Sequence, residues 1–272
     1  MNYRHSFHAG NFADLVKHAL VLWLLRARQK QWAVVVFDTH AGAGLYDLTG
    51  DAARSKEAEA GVMRLMASDG DLPPTIAALA DEVRAVNVGA IETRFYPGSP
   101  LLVARALRPG DAYRGFELNP PVVDLLVQAL ADFPGAEGRA GDGYVGVLAA
   151  LKAGGVSAPL VLIDPPFERP DDYMRAAETA MAAVKAAPGS TVAIWTPLKD
   201  METFDGFLRR LSGEVLVAEA RLRPLTDPMK MNGCAMVVVN PPAGAEAAAQ
   251  EICGWVAGAL GDAGAKAEVW RL

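Results

Sequence analysis

Short apolar runs alternate with longer amphipathic stretches along most of the chain. The apolar runs are rich in β-branched residues, which predicts buried strands at 33–37, 112–116, 160–163, 192–195 and 234–239. The stretches between them repeat apolar residues every three or four positions, which predicts helices at 11–30, 100–107, 121–132, 144–152, 171–186, 201–211 and 245–260. Two closing strands are predicted near 214–223 and 267–271. We therefore expect an α/β fold with a largely parallel sheet, helices on both faces and antiparallel pairing at one edge.

Residues 47–95 differ from the rest of the chain because they are charged and follow a helical repeat. The apolar positions of that repeat include Ile76, Leu79, Val83 and Val86. The segment 71–74 ends in two prolines, which divide the stretch into two helical pieces. We therefore expect a helical insertion at 47–95 within a main domain formed by 1–46 and 96–272.

The composition fits a folded protein with an acidic overall charge. Hydrophobic residues make up 51% of the 272 positions, which is ample for a core and argues against global disorder. The net charge of −6 argues against a protein that coats nucleic acid through bulk charge. The first thirty residues differ, because one acid, Asp14, stands against five basic side chains: Arg4, Lys17, Arg26, Arg28 and Lys30.

Other features narrow the cellular setting. An apolar run of about 18 residues, as a membrane span needs, does not occur in the sequence, and residues 1–10 lack the apolar region of a signal peptide. We expect a cytoplasmic protein in which Cys234 and Cys253 are reduced and buried. The four histidines cluster near the N-terminus, which indicates a site, but their spacing does not match paired metal ligands, and we predict no metal. They are His5, His8, His18 and His40.

A candidate reaction site follows the strand 160–163, which ends in Asp164-Pro165-Pro166-Phe167. Ligands bind at such strand ends in open α/β sheets. The amino group of adenine is a poor nucleophile because its lone pair is delocalised into the ring. Asp164 and the Pro165 carbonyl can each accept one of its N–H bonds, which turns the lone pair toward an electrophile. The prolines add no competing N–H, and Phe167 can stack on a base lifted out of its helix.

A plainer interpretation of this motif stays open, because Asp-Pro-Pro after a strand is also an ordinary turn. The chain contains a second such sequence, Asn240-Pro241-Pro242, after the strand 234–239. Ala243 stands there in place of an aromatic residue, so we interpret the second sequence as a turn.

A glycine-rich loop, DTHAGAG at 38–44, follows the first strand. Gly42 and Gly44 let the backbone turn sharply and approach a ligand closely. The dinucleotide-binding fingerprint needs a further glycine at position 47, which is Asp, so that pattern is not met. A loop that carries His40 and an aspartate suits a ligand with an ammonium and a carboxylate better than a pyrophosphate.

Two acidic residues continue the pattern at later strand ends. Glu117 follows the strand 112–116 and can accept hydrogen bonds from both hydroxyls of a ribose. Asp142, next to Gly143, can accept a hydrogen bond from the amino group of a cofactor's adenine. Taken singly, Glu117 can also be a solvated charge at a strand end, and Asp142-Gly143 can be part of an ordinary turn. Taken in order with the glycine loop and the Asp-Pro-Pro-Phe motif, they indicate an amino-methyltransferase that uses S-adenosylmethionine.

Several segments resemble one family: YRHSFHAGNFADLVKH at the start, then DTHAGAG, YPGSP, FELNP, DG and IDPPF. They resemble the bacterial 23S ribosomal RNA adenine methyltransferases of the J type over nearly the whole chain, and the N-terminal motif is the most specific. The resemblance implies a Rossmann-like class I methyltransferase with a small helical subdomain. It also implies methylation of the 6-amino group of adenine 2030. We expect the substrate to be protein-free or immature 23S rRNA and the enzyme to be a monomer.

The resemblance also implies roles for individual residues. With Gly42 and Asp164, the cofactor contacts would be His18, His40, Ser99, Glu117, Asp142 and Gly143. Asp164 would be the catalytic acceptor, and Tyr3 resembles the family's substrate-linked tyrosine. We expect Arg4 and Lys17 to contact RNA phosphate, the alternative being solvated surface charges. Phe167 stands where many relatives carry Tyr, and either ring can stack on the target base.

Three alternatives stay open at this point. The same motif serves enzymes that methylate adenine in DNA or the amide of a protein glutamine. A non-catalytic module that binds cofactor or RNA is a second alternative, against which the intact Asp164 and Phe167 argue. A nicotinamide-dependent dehydrogenase is a third, and the missing glycine at position 47 disfavours it.

Overall fold

The fold is built on one large β-sheet. The computed structural model describes residues 8–49, 55–156, 158–225 and 231–272. The strands in this part of the chain are β1 (Val35–Asp38), β2 (Leu45–Asp47), β3 (Phe95–Pro97), β4 (Ala112–Glu117), β5 (Ala136–Ala140), β6 (Leu160–Ile163), β7 (Thr191–Pro197), β8 (Val215–Arg221), β9 (Gly233–Val239) and β10 (Lys266–Arg271).

Eight of these strands form the sheet in the order β10-β8-β9-β7-β6-β1-β4-β5, while β2 and β3 form a separate antiparallel pair. From β7 to β5 all neighbours are parallel. Strand β9 runs antiparallel to both β7 and β8, and β10 runs antiparallel to β8. This confirms the predicted parallel sheet with an antiparallel edge. It also brings the carboxyl ends of β5, β4, β1 and β6 to one side, where ligands bind in this class of sheet.

Helices cover both faces of the sheet. Their bounds are α1 (Phe12–Gln29), α2 (Glu57–Ala60), α3 (Val62–Met66), α4 (Pro74–Ala85), α5 (Ser99–Ala106), α6 (Pro120–Leu130), α7 (Gly143–Lys152), α8 (Asp172–Ala186), α9 (Met201–Leu208) and α10 (Ala245–Leu260). One apolar core lies between the sheet and α1, α5, α6 and α10, and a second lies between the sheet and α7, α8 and α9. Among the described helices, none is long and apolar enough to cross a membrane.

The helix bounds lie close to those predicted from the apolar repeats, and local chemistry explains several of them. Helix α1 begins after Asn11, whose side chain accepts a hydrogen bond from the Asp14 N–H at 2.9 Å. Strand β5 was missed, because its sequence AEGRA contains too little apolar surface to mark a strand. It forms because its backbone pairs with β4 at the sheet edge.

Helices also form within the predicted insertion at 47–95. The β2–β3 pair joins its two ends, and α2, α3 and α4 lie between them. The buried residues Ile76, Leu79 and Val83 of α4 belong to the same apolar core as α1. The insertion is therefore packed onto the main domain through shared side chains, and its separation as a subdomain stays a prediction.

Candidate active site

Four acidic residues stand at the carboxyl ends of neighbouring strands. Asp38 ends β1, Glu117 ends β4, Asp142 follows β5 and Asp164 follows β6. Because these strands are adjacent and parallel, their ends meet along one edge of the sheet. The structure thus brings the glycine loop, the two later acids and the Asp-Pro-Pro-Phe motif together, as the sequence predicted.

The glycine loop and Glu117 are connected directly. Gly42 has a left-handed backbone with φ 67°, which favours glycine, and its N–H donates to Glu117 Oε2 at 3.1 Å. Glu117 Oε1 accepts from the Asn119 N–H at 2.8 Å. Both bonds come from backbone, so the carboxylate is held in place while it remains half-buried and open to a ligand.

Asp38 lies beneath this loop and is nearly inaccessible, at 1% exposure. Ser99 Oγ donates to its carboxylate at 2.7 Å, the Tyr113 hydroxyl at 3.1 Å and the His40 N–H at 3.2 Å. Burial raises the pKa of Asp38 to about 6, although these hydrogen bonds act in the opposite direction. Asp38 therefore organises the loop, and Ser99 contacts Asp38 in this structure.

His40 belongs to the glycine loop that follows β1. Its Nδ1 is 2.7 Å from the Thr39 hydroxyl oxygen, and its ring meets Tyr144 edge-on with the centroids 4.9 Å apart. Burial lowers the pKa of His40, although the acids Asp164 and Glu117 oppose this. His40 is therefore suited to contact a ligand as a neutral ring.

Asp142 begins helix α7. Its Oδ1 accepts the N–H groups of Tyr144 at 3.0 Å and Val145 at 3.3 Å. The next residue, Gly143, lies so close to Thr39 that a Cβ there would collide with the Thr39 carbonyl oxygen. Glycine is thus required at position 143 for the start of α7 to approach the backbone at Thr39, just before the glycines of the loop.

Asp164 is bonded to a buried lysine. Lys17 Nζ lies 2.6 Å from Asp164 Oδ2 and 2.8 Å from Asp14 Oδ1, so one ammonium joins two carboxylates. Burial by itself would lower the pKa of Lys17, but the two neighbouring carboxylates outweigh it and raise the pKa well above its usual range. Lys17 is therefore charged at neutral pH.

Two predicted site residues of α1 are buried, and this corrects the prediction for the first of them. Lys17 is 6% exposed, so it neither reaches RNA phosphate nor lies on the surface as a solvated charge in this structure. His18 is 1% exposed, and its Nδ1 lies 2.7 Å from the hydroxyl oxygen of Tyr96 on β3. Its role as a cofactor contact stays a prediction. Both side chains are buried because α1 packs on one face of the sheet. Residues on several sides of this helix are enclosed, not only those that face the sheet.

Phe167 also differs from expectation, since its ring is buried at 3% exposure. Its centroid lies 4.5 Å from that of Tyr173 and 5.9 Å from that of Trp195. The backbone of Phe167 is left-handed, with φ 51°, and its carbonyl accepts from Lys199 Nζ at 2.7 Å. The turn after Pro166 directs the ring into the core, so the predicted open stacking face is absent in the described residues.

Other predicted and unpredicted residues complete the description. Tyr3 and Arg4 lie outside the described residues. Sequence reasoning missed Lys199 and Arg175, which join the site from β7's exit and from α8. A lysine or arginine carries no local signal for such a contact, because its partner depends on packing between elements distant in sequence.

The residues present fit a nucleoside cofactor. Glu117 and Asp142 are acceptors at neighbouring strand ends, and ribose hydroxyls and an adenine amino group are donors. Glu117 is half-buried beside a turn that brings backbone close to it. Chemistry and placement therefore agree with the order of acids that the sequence indicated.

Comparison with known proteins also identifies a methyltransferase family. The model of the family described as "Ribosomal RNA large subunit methyltransferase D, RlmJ" matches residues 31–272. A "Ribosomal RNA large subunit methyltransferase J" from Haemophilus influenzae is 33% identical and is aligned over 93% of this chain and 91% of its own length. A protein of the same name from Escherichia coli is 32% identical over 97% of this chain and 95% of its own length.

One solved structure has the same fold over its whole length. A crystal structure of a protein from Legionella pneumophila superposes with a TM-score of 0.89 at 24% identity, covering 97% of this chain and 98% of that chain. The agreement includes the insertion, since coverage is nearly complete. It confirms the architecture described above.

Strand order, glycine loop and acids define a Rossmann-like class I methyltransferase that uses S-adenosylmethionine. The family match and the two relatives resolve the class further. The chain belongs to the RlmJ family of ribosomal RNA large subunit methyltransferases. The sequence-based recognition of this family is confirmed.

Proposed function

We propose that this protein methylates the 6-amino group of adenine 2030 in 23S rRNA, with Asp164 as the catalytic acceptor. The observation that carries the proposal is the placement of Asp164-Pro165 directly after β6, beside the glycine loop. Names of the family and of its relatives support a large-subunit rRNA substrate. The choice of adenine and of its amino group rests on the motif's chemistry.

The chain's own residues divide the work between them. S-adenosylmethionine, when bound, supplies the electrophilic methyl group. Glu117 would accept hydrogen bonds from its ribose hydroxyls, and Asp142 would accept one from its adenine amino group. His40, Gly42 and Gly143 would lie beside the cofactor. Asp164 and the Pro165 carbonyl would accept the two N–H bonds of the target amino group and orient its lone pair. The proton leaves only after positive charge develops on nitrogen, so Asp164 need not be a strong base.

Lys17 would act through Asp164 rather than on RNA. Its ammonium and the target amino group would both donate to the Asp164 carboxylate, which has lone pairs for more than one donor. Lys17 would fix the direction of that carboxylate as the base enters. Asp14 would hold the ammonium from the other side, which makes Lys17 a positioning residue.

Phe167 keeps its proposed role as a contact of the target base, with a condition. The ring would have to turn from Tyr173 and Trp195 toward the base, while Lys199 holds the Phe167 carbonyl. Tyr3 and Arg4 would contact the substrate from the N-terminal motif. A base that is unpaired or flipped can reach such a site, so protein-free or immature rRNA in the cytoplasm, bound by a monomer, is the proposed partner.

Methyl transfer to protein-free 23S rRNA from labelled S-adenosylmethionine tests the proposal. The expected product is 6-methyladenosine at one position after nucleoside digestion, and none when guanine replaces adenine 2030. Duplex DNA carrying adenine and a glutamine-containing protein extract serve as competing substrates. Label in DNA or in a protein amide, with unmodified rRNA, would contradict the proposal and favour the other amino targets.

A further inference from the structure

Arg175 of α8 forms a contact with the predicted adenine acceptor that the functional argument above does not use. Its Nη2 donates to Asp142 Oδ2 at 2.8 Å. Its guanidinium carbon also lies 4.5 Å from the centroid of the Tyr144 ring, so the group stacks on that ring while it holds the carboxylate. Two independent contacts therefore fix the direction of the Arg175 side chain.

The two oxygens of Asp142 are occupied differently. Oδ1 caps helix α7 through the N–H groups of Tyr144 and Val145. Oδ2 accepts Arg175 and retains a second lone pair. The Asp142 side chain is 36% exposed and that of Arg175 is 26% exposed, so a ligand can reach this lone pair.

Electrostatics supports the same arrangement. Burial raises the pKa of Asp142, but the hydrogen bond and charge of Arg175, together with the capping N–H groups, outweigh it and lower the pKa below its usual value. Asp142 therefore stays an acceptor at neutral pH. Tyr144, which supports Arg175, also touches the His40 ring edge-on, so the contact is connected to the glycine loop.

We infer that Arg175 is a positioning residue for the cofactor's adenine: it fixes Asp142 so that the free lone pair of Oδ2 faces the adenine 6-amino group. This inference rests on the proposed placement of the adenine at Asp142. A planar guanidinium suits the task because its donors have fixed directions, which the ammonium of a lysine lacks. Arg175 thus contributes to the choice of adenine over other bases in the cofactor.

Equilibrium titration with two ligands tests the inference. S-adenosylhomocysteine offers a 6-amino donor, whereas S-inosylhomocysteine has a 6-oxo acceptor at that position and keeps a donor only at N1–H. We expect Arg175→Met to weaken binding of the adenosyl ligand about fivefold and to leave the inosyl ligand nearly unchanged, so the preference falls about fivefold. Arg175→Lys should give an intermediate preference, since it restores charge without the stack.

Two further variants make the outcome unambiguous. Arg139→Met is the matched control, because Arg139 pairs with Glu137 on β5 at 2.8 Å, and its adenosyl preference should equal that of the wild type. Asp142→Asn, whose amide can donate to a 6-oxo group, should lose or invert the preference.

An unchanged preference in Arg175→Met, with the preference lost in Asp142→Asn, would overturn the inference and leave the adenine placement intact. The same holds if Arg175→Met lowers only the melting temperature. An unchanged preference in Asp142→Asn would instead contradict the placement itself, and with it the inference that rests on it.

Discussion

The cofactor half and the acceptor half of the site are constructed in opposite ways. Glu117 and Asp142 are partly exposed, and backbone N–H groups hold them in position. Asp164 is instead bonded to the buried Lys17, and the neighbouring Phe167 ring is enclosed by aromatic side chains. The first half is ready for its ligand, whereas the second is occupied by the protein's own groups. From this difference we expect cofactor affinity and turnover to depend on separate residues.

Loss of the acceptor carboxylate should give the largest effect. Asp164→Ala removes the group that orients the target amino group, so turnover should fall about 10³-fold or more while cofactor affinity changes less than about threefold. Single-turnover methyl transfer and equilibrium titration measure the two quantities. Asp171→Ala, an exposed acid nearby, is the control. Turnover within tenfold of the wild type would contradict the assignment of Asp164.

Lys17→Met should destabilise the acceptor half. It leaves the Asp14 and Asp164 carboxylates without their shared ammonium, so the free energy of unfolding should fall by about 3 kcal/mol and turnover should fall with it. Urea unfolding measures the first effect. Lys30→Met, at the exposed end of α1, should leave both unchanged. A fully stable and active Lys17→Met protein would show that the ion pairs are dispensable.

Glu117→Gln should affect the other half alone. The change removes a charged acceptor of the ribose, so cofactor affinity should fall about tenfold, while turnover at saturating cofactor stays near the wild-type value. Glu137→Gln on β5 is the matched control. If turnover at saturation falls as steeply as affinity, the two halves are not separable.

Asp38 should have a pH-dependent effect on the free energy of unfolding that is smaller than the effect of Lys17→Met. Burial raises its pKa to about 6 in the folded protein, so over the range between its ordinary pKa and about pH 6 the folded state holds a proton that the unfolded chain releases. Stability from this group is therefore lost as pH rises, by about 1 kcal/mol between about pH 5 and pH 6. Asp38→Asn should flatten this slope in urea unfolding. Parallel pH curves for the two proteins would refute the raised pKa.

The contrast between the halves also explains what could be predicted from the sequence. Glu117 and Asp164 come at the ends of strands that are visible in the apolar pattern. Asp142 was instead singled out by its Asp-Gly sequence before a predicted helix, since the strand ahead of it was not predicted. The burial of Lys17, His18 and Phe167 was not predicted, because it depends on how α1 and β7 pack against β6 and β3. Strand β5 was missed because backbone pairing at an edge, and not apolar surface, forms it.

The most direct test measures cofactor affinity and saturated turnover side by side for Asp164→Ala and Glu117→Gln. The account predicts a crossed pattern, in which the first variant loses turnover but keeps affinity and the second loses affinity but keeps turnover. If both variants lose affinity and turnover in equal proportion, the division of the site into a cofactor half and an acceptor half is wrong.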